Sequence, residues 1–173
     1  MEYTKFYDEL YKSCAEFINL FGFDNNHIVR ADINGTRLPD FPFCLITIGR
    51  SKQLATNTHY NEYDINTDTL VEKISTSREV LVHLDFYGDN SSDVATAVTQ
   101  LFRDEKGINI FKNSGFVPLY VEDAQRLPYI DQTSTIYNRH QTVLHFNHHP
   151  ALKFNEDYFE KVDLITERAN NVS

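Results

Sequence analysis

The chain has no tryptophan, one methionine, two cysteines, five prolines and six glycines in 173 residues. Each shortage removes a class of function. The glycines, at 22, 35, 49, 88, 107 and 115, are too dispersed to build a GxGxxG turn or a P-loop, so no phosphate-cradling backbone is present. Cys14 and Cys44 form no CxxC and no zinc-ligand spacing, which leaves two small buried hydrophobes as the expectation. HExxH, GxSxG and the kinase signatures are missing too. No apolar run approaches the roughly 18 residues that crossing a bilayer requires. The opening MEYTKFYDEL lacks the basic and apolar regions of a signal peptide, so a cytosolic product is expected. Positive charge is scarce: 16 Lys and Arg face 25 Asp and Glu, for a net charge of −9, and no three basic residues run together. Phosphate binding needs clustered cations, so nucleic-acid binding is disfavoured as a principal role, and an acidic body would repel passing duplex.

What is present is ordinary globular material. Hydrophobic residues make up 41% and charged residues 24%, enough for one domain with a proper core across residues 1–173. Thirteen Phe and ten Tyr are expected mainly in that core. Tyrosine also suits interfaces, where the ring buries area and the hydroxyl keeps a polar partner.

Tyr3, Phe6, Tyr7, Leu10, Cys14, Phe17, Ile18 and Phe21 recur at helical spacing and predict an amphipathic helix stopped by Gly22. A mixed polar stretch follows through Asp40, with Gly35, Pro39 and Pro42 marking irregular backbone. FCLITI (43–48) predicts a buried strand ending at Gly49. Residues 51–68 are polar and aperiodic, and predict a long connection or two frayed strand ends around a loop. From Thr69 to Tyr87 the period becomes two: Val80, Val82, Leu84 and Phe86 face one way, Glu79, His83 and Asp85 the other. GDNSS supplies turn and cap residues for a second helix carrying Val94, Ala97, Val98, Leu101 and Phe102, ended by Gly107. INIFKNSG predicts a further short helix closed by Gly115. In FVPLYVED, Pro118 argues for an edge strand or a bulge. STIYNRHQTVLHFNHH predicts another strand. Residues 158–168 fit a helix through Tyr158, Phe159, Val162 and Ile165, and a strand through Val162, Leu164 and Thr166. The order of elements predicts an α+β fold, a mostly antiparallel or mixed sheet with helices packed on one face.

Histidine is the one residue type concentrated locally: HQTVLHFNHHP (140–150) holds four of the seven. Neutral imidazole is a common metal ligand, so spacing decides. On a strand His140 and His148 share a face about 26 Å apart, and His145 and His149 share the other at about 13 Å. A helix would join His145 to His149, but Pro150 follows at once and Thr142 with Val143 favours β structure. No single segment chelates a metal, and no metal is expected. His83 and Asp85 lie about 6.6 Å apart on one strand face, where plain solvated polarity is the commoner outcome.

The strand EVLVHLDFYG leading into a polar-started helix, then FKNSGF, then RLPYIDQTSTIYNRHQTVLHF and the closing YFEKVDLITE, follow an order that resembles the bacteriophage neck and tail-terminator proteins. The matching residues are Gly115, Phe116, Leu127, Pro128, Arg139, Gln141, Leu144 and Phe146, with LPDFPFCLITI as the Pro-then-strand entry, and the likeness spans roughly residues 37–168. The resemblance implies a structural virion protein assembled in the host cytoplasm. Its partners would be copies of itself in a ring, usually of six, the tail tube with its sheath, and the head-completion proteins. The ring caps the tube, DNA passes through its lumen, and neither catalysis nor a cofactor is involved. Two rivals from other classes are a small metal-dependent hydrolase using His83, Asp85 and the His140–His149 group, and a monomeric adaptor. Long unstructured connections are usually functional. Two large rings in a polar segment therefore mark His59, Tyr60, Glu62, Tyr63 and Asp64 as the expected subunit or partner interface.

Overall fold

The computed structural model describes residues 3–31, 37–64, 69–130, 134–155 and 163–166. Helix α1 (Tyr3–Asn19) forms where the spacing predicts, with Leu10, Cys14, Phe17 and Ile18 fully buried. Its last carbonyls accept from the N–H groups of Leu20, Phe21 and Gly22, and Gly22 (φ +85°) turns the chain away. The strands β1 (Ile28–Arg30), β2 (Phe43–Gln53), β3 (Thr58–Asp64), β4 (Thr69–Ser75) and β5 (Arg78–Tyr87) follow. Then come α2 (Ser91–Leu101), α3 (Glu105–Phe111), β6 (Phe116–Val121), β7 (Gln125–Arg126), β8 (Tyr129–Ile130), β9 (Ile136–Tyr137), β10 (Arg139–His148), β11 (Pro150–Asn155) and β12 (Asp163–Thr166). The expected α+β class is the one observed.

The first sheet runs β1-β2-β5-β10-β6, with β7 also on β10; only β1 and β2 are parallel. Cys44 and Ile46 of β2, Val80, Val82, Leu84 and Phe86 of β5, and Leu144 and Phe146 of β10 turn one face toward all three helices. Phe146 is the hub, with Phe111 at 4.8 Å, Phe102 at 5.1 Å and Phe116 at 6.3 Å between ring centroids. Full burial of each such ring stabilises the fold by about 1.5–3 kcal/mol before entropy.

The second sheet, β12-β11-β4-β3, is antiparallel throughout. It continues the first. The β5–β10 ladder closes at Arg78 with His148 and resumes in the same register at Ser75 with Ala151. Across the gap the Thr76 N–H donates to the Pro150 carbonyl at 3.1 Å, and the Leu54 N–H to the Ser77 carbonyl at 2.9 Å. Among the described residues the three helices pack on strands of the first sheet, and the continuation extends its strands.

Several sequence expectations need correction. The period-two stretch from Thr69 to Tyr87 is not one strand: it breaks at Thr76–Ser77 and serves both sheets. Of the two readings of 51–68, strand ends around a loop holds: β2 runs on to Gln53, and 58–64 are strand β3, paired with β4 over its whole length. Strand β2 does not end at Gly49. It bulges there, with Ile48 opposite Val82 and Ser51 opposite Val80, and the His83 ring lies where a Cβ at Gly49 would come within 3.2 Å. Gly107 does not end α2 but sits inside α3, where a Cβ would lie 2.4 Å from the Leu101 carbonyl oxygen. Pro118 is on the edge strand and beside a register shift as well, with Phe146 opposite Pro118 and His145 opposite Tyr120. At the tail, 163–166 is strand; Tyr158, Phe159 and Val162 lie outside the described residues.

Candidate functional site

The residues expected at an interface all lie on β3, the outer strand of the extension. Side chains alternate along a strand, so they divide between two faces. Tyr60 and Glu62 share one with Lys73, which pairs with Glu62 and places its ammonium 5.8 Å from the Tyr60 ring centroid. Lys73 is only 7% exposed, and the carboxylate and the ring face satisfy a charge that would be costly to bury alone. His59 and Tyr63 are on the other face, where His59 Nδ1 lies 3.1 Å from Glu72 Oε1 and Tyr63 is exposed. Asp64 pairs with Thr69 at the hairpin end.

The four clustered histidines do four different things. His148 stacks on Phe116 at 4.3 Å and 16°, and its Nδ1 donates to the Gly115 carbonyl at 3.4 Å. Burial, helped by the nearby His149 and Arg78, lowers its pKa to about 4 against the pull of that carbonyl. His145, on the opposite face, is buried under Tyr120 with its rings 4.0 Å apart. Its Nδ1 is 2.8 Å from Glu79 Oε1 and its Nε2 3.1 Å from Glu122 Oε1. The hydrogen bond from His145 holds the Glu79 carboxyl below its usual range, against the effect of burial, with a smaller contribution from the Tyr120 hydroxyl. His149 Nε2 meets the Asn147 amide at 3.1 Å. Among the described residues no three His, Cys, Asp or Glu side chains converge to hold a metal ion.

His140 Nδ1 lies 2.9 Å from Ser91 Oγ, a pairing with the look of a nucleophile and its base. Its surroundings argue against that use. Ser91 is 3% exposed at the start of α2. The imidazole pKa is lowered, by burial first and then by Arg126, and among the described residues no carboxylate orients the ring. Asp85 does not pair with His83. It is 3% exposed and accepts from Arg139 Nε at 3.0 Å and Gln141 Nε2 at 2.9 Å, with Arg139 Nη2 also at 2.9 Å. The two thiols are fully buried and burial raises both pKa values.

Sequence reasoning missed the end of the molecule opposite the extension. Five rings close a circuit there: Tyr87 on Phe43 at 4.5 Å, Phe43 to Phe41 at 5.3 Å, Phe41 on Tyr137 at 4.6 Å, Tyr137 to Tyr129 at 6.3 Å, and Tyr129 back to Tyr87 at 6.0 Å. The adjoining Ile130 and Ile136 pair across the β8–β9 hairpin and are 61% and 66% exposed. A cluster of exposed aliphatic and aromatic side chains is a mark of an association surface. The signal was the apolar content of LPYIDQTSTIY, of which only STIY was read, as the start of a strand. Among the described residues no helix is long and apolar enough to cross a membrane.

An α+β body with a strand extension and an exposed apolar end has the features of an assembly subunit. The comparison with protein families agrees: the model for phage neck terminator proteins matches residues 6–171. The chain belongs to that family, and is by that membership a structural protein of the phage neck. No curated relative matches it.

Proposed function

We propose that the protein forms a ring, of six subunits, that caps the tail tube at the phage neck and joins it to the head-completion proteins, with DNA passing through the lumen unbound. Family membership over nearly the whole chain carries this reading. The extension supports it, because among the described residues the outer edges of β3 and β12 carry no further strand. The whole chain from 1 to 173 acts as one domain in this reading. His59, Tyr60, Glu62, Tyr63 and Asp64 on β3 contact the neighbouring subunit, while the apolar end around Ile130 and Ile136 meets the tube, the sheath or the head-completion proteins. Neither a cofactor nor a catalytic step is needed. Native mass spectrometry with electron microscopy of the purified protein and of assembled particles tests it. Six-fold rings at the neck are expected; a chain that remains monomeric in both settings overturns the reading.

A further inference from the structure

We infer that the ring closes through its second sheets, the outer edge of β3 in one copy pairing with β12 of the next to form one continuous antiparallel barrel around the lumen. This rests on the ring proposed above. Three observations lead to it.

The first is how the edges are treated. Open edges invite pairing, and proteins blunt those that must stay free. In the first sheet, β6 carries Pro118 and a register shift. Strand β3 has neither device: its seven residues contain no proline, and its pairing with β4 runs from Thr58 to Asp64 without a shift. Among the described residues no strand covers the outer side of β3 or of β12.

The second is direction. With four strands all antiparallel, β3 and β12 point opposite ways. Copies related by rotation about a ring axis therefore meet antiparallel, edge to edge, and the contact is heterologous and closing. Two β3 strands could also pair about a two-fold axis, but that arrangement stops at a dimer.

The third is size. Six copies supply about 24 strands. At a spacing of about 4.8 Å and a tilt of about 40°, they close at a diameter of about 48 Å, an open channel rather than a filled core.

The register test uses Leu164, Leu152, Ile74 and His59, which stand in line across the sheet. Positions 59, 61 and 63 on β3 therefore share a face with position 164. The double variants H59C/L164C, N61C/L164C and Y63C/L164C cover successive pairings, and the buried Cys14 and Cys44 remain out of reach of oxidant. After mild oxidation, at least one double variant should give a non-reducing gel ladder up to the ring, and each single variant should stay at the monomer position. Rings of normal mass without a ladder from any of the three overturn the barrel and leave the ring reading standing. A strong dimer from N61C alone overturns it in favour of two-fold pairing. A wild-type chain that is monomeric by native mass spectrometry, free and in particles, removes both readings together.

Discussion

The imidazole of His148 lies flat on the ring of Phe116, 4.3 Å away and 16° from parallel, at the point where the first sheet passes into the second. The stack buries a group that titrates near neutrality in the unfolded chain. With its folded pKa lowered from 6.5 to about 4, the folded state binds fewer protons than the unfolded state between those values. Stability is therefore intact above about pH 6.5 and is lost as pH falls toward 4, by about 3 kcal/mol at most. His140 acts with the same sign. So does Glu79, whose lowered pKa gives stability that disappears as its carboxylate protonates. Urea midpoints should drop between about pH 7.5 and about pH 5, and His148→Phe, which keeps the stack, should reduce that drop.

Gly107 is predicted to be the least replaceable glycine. A Cβ there meets the carbonyl oxygens of Leu101 and Phe102 at 2.4 and 2.7 Å, both backbone atoms that cannot swing aside. Gly107→Ala should cost about 2–3 kcal/mol through overpacking, read as a lowered melting temperature. Gly22→Ala meets nothing within 4 Å, but its φ of +85° is unfavourable for a side chain, so it should cost about 1 kcal/mol. Equal losses at both positions would contradict this ranking.

How much of this was legible follows from which residues carried the signal. Helix α1 and the alternation of Val80, Val82, Leu84 and Phe86 were readable because burial on one face leaves a period in the residues themselves. The second sheet was not. Strand β3 is solvated along most of its length, so polar residues occupy both faces and no period survives. The crossing at Thr76–Ser77 uses residues that strands accept, and so the boundary between sheets left no mark. Histidine spacing addressed only whether one segment alone could chelate. It could not reveal that His145 would meet Glu79, 66 positions away, or that His140 would find Ser91. Gly107 misled because a glycine after an apolar stripe resembles a helix end, whereas here it permits two helices to approach.

Asp85 and Arg139 should behave as a unit. The carboxylate is buried while the guanidinium, which also lies 5.7 Å from the Tyr87 ring centroid, keeps some solvent contact. Asp85→Ala leaves a partly buried cation and a vacated pocket, and should cost about 2–3 kcal/mol, below the range for a fully buried pair. Arg139→Ala leaves Asp85 with Gln141 alone and should cost at least as much. A double-mutant cycle in denaturant measures the coupling, which should exceed about 1 kcal/mol.

Chelators should leave the melting temperature unchanged, and elemental analysis should find metal well below one equivalent per chain. His140, His145, His148 and His149 each engage a different partner. Stoichiometric zinc would return the hydrolase reading to contention.

Duplex DNA should not bind, even at low ionic strength. Each chain carries −9, so six in a ring carry about −54, and opposing fields are strongest when salt is low. Proteins that hold duplex release counterions and lose affinity steeply as salt rises. In the ring proposed above the sign is reversed: net negative charge repels a passing duplex, which keeps it from adhering to the wall. Electrophoretic mobility of a labelled duplex should be unchanged by micromolar protein at about 20 mM salt. Retardation there that disappears toward about 200 mM salt would mean that cations cluster on a surface of the assembled ring, and the unbound-passage part of the proposal would fail.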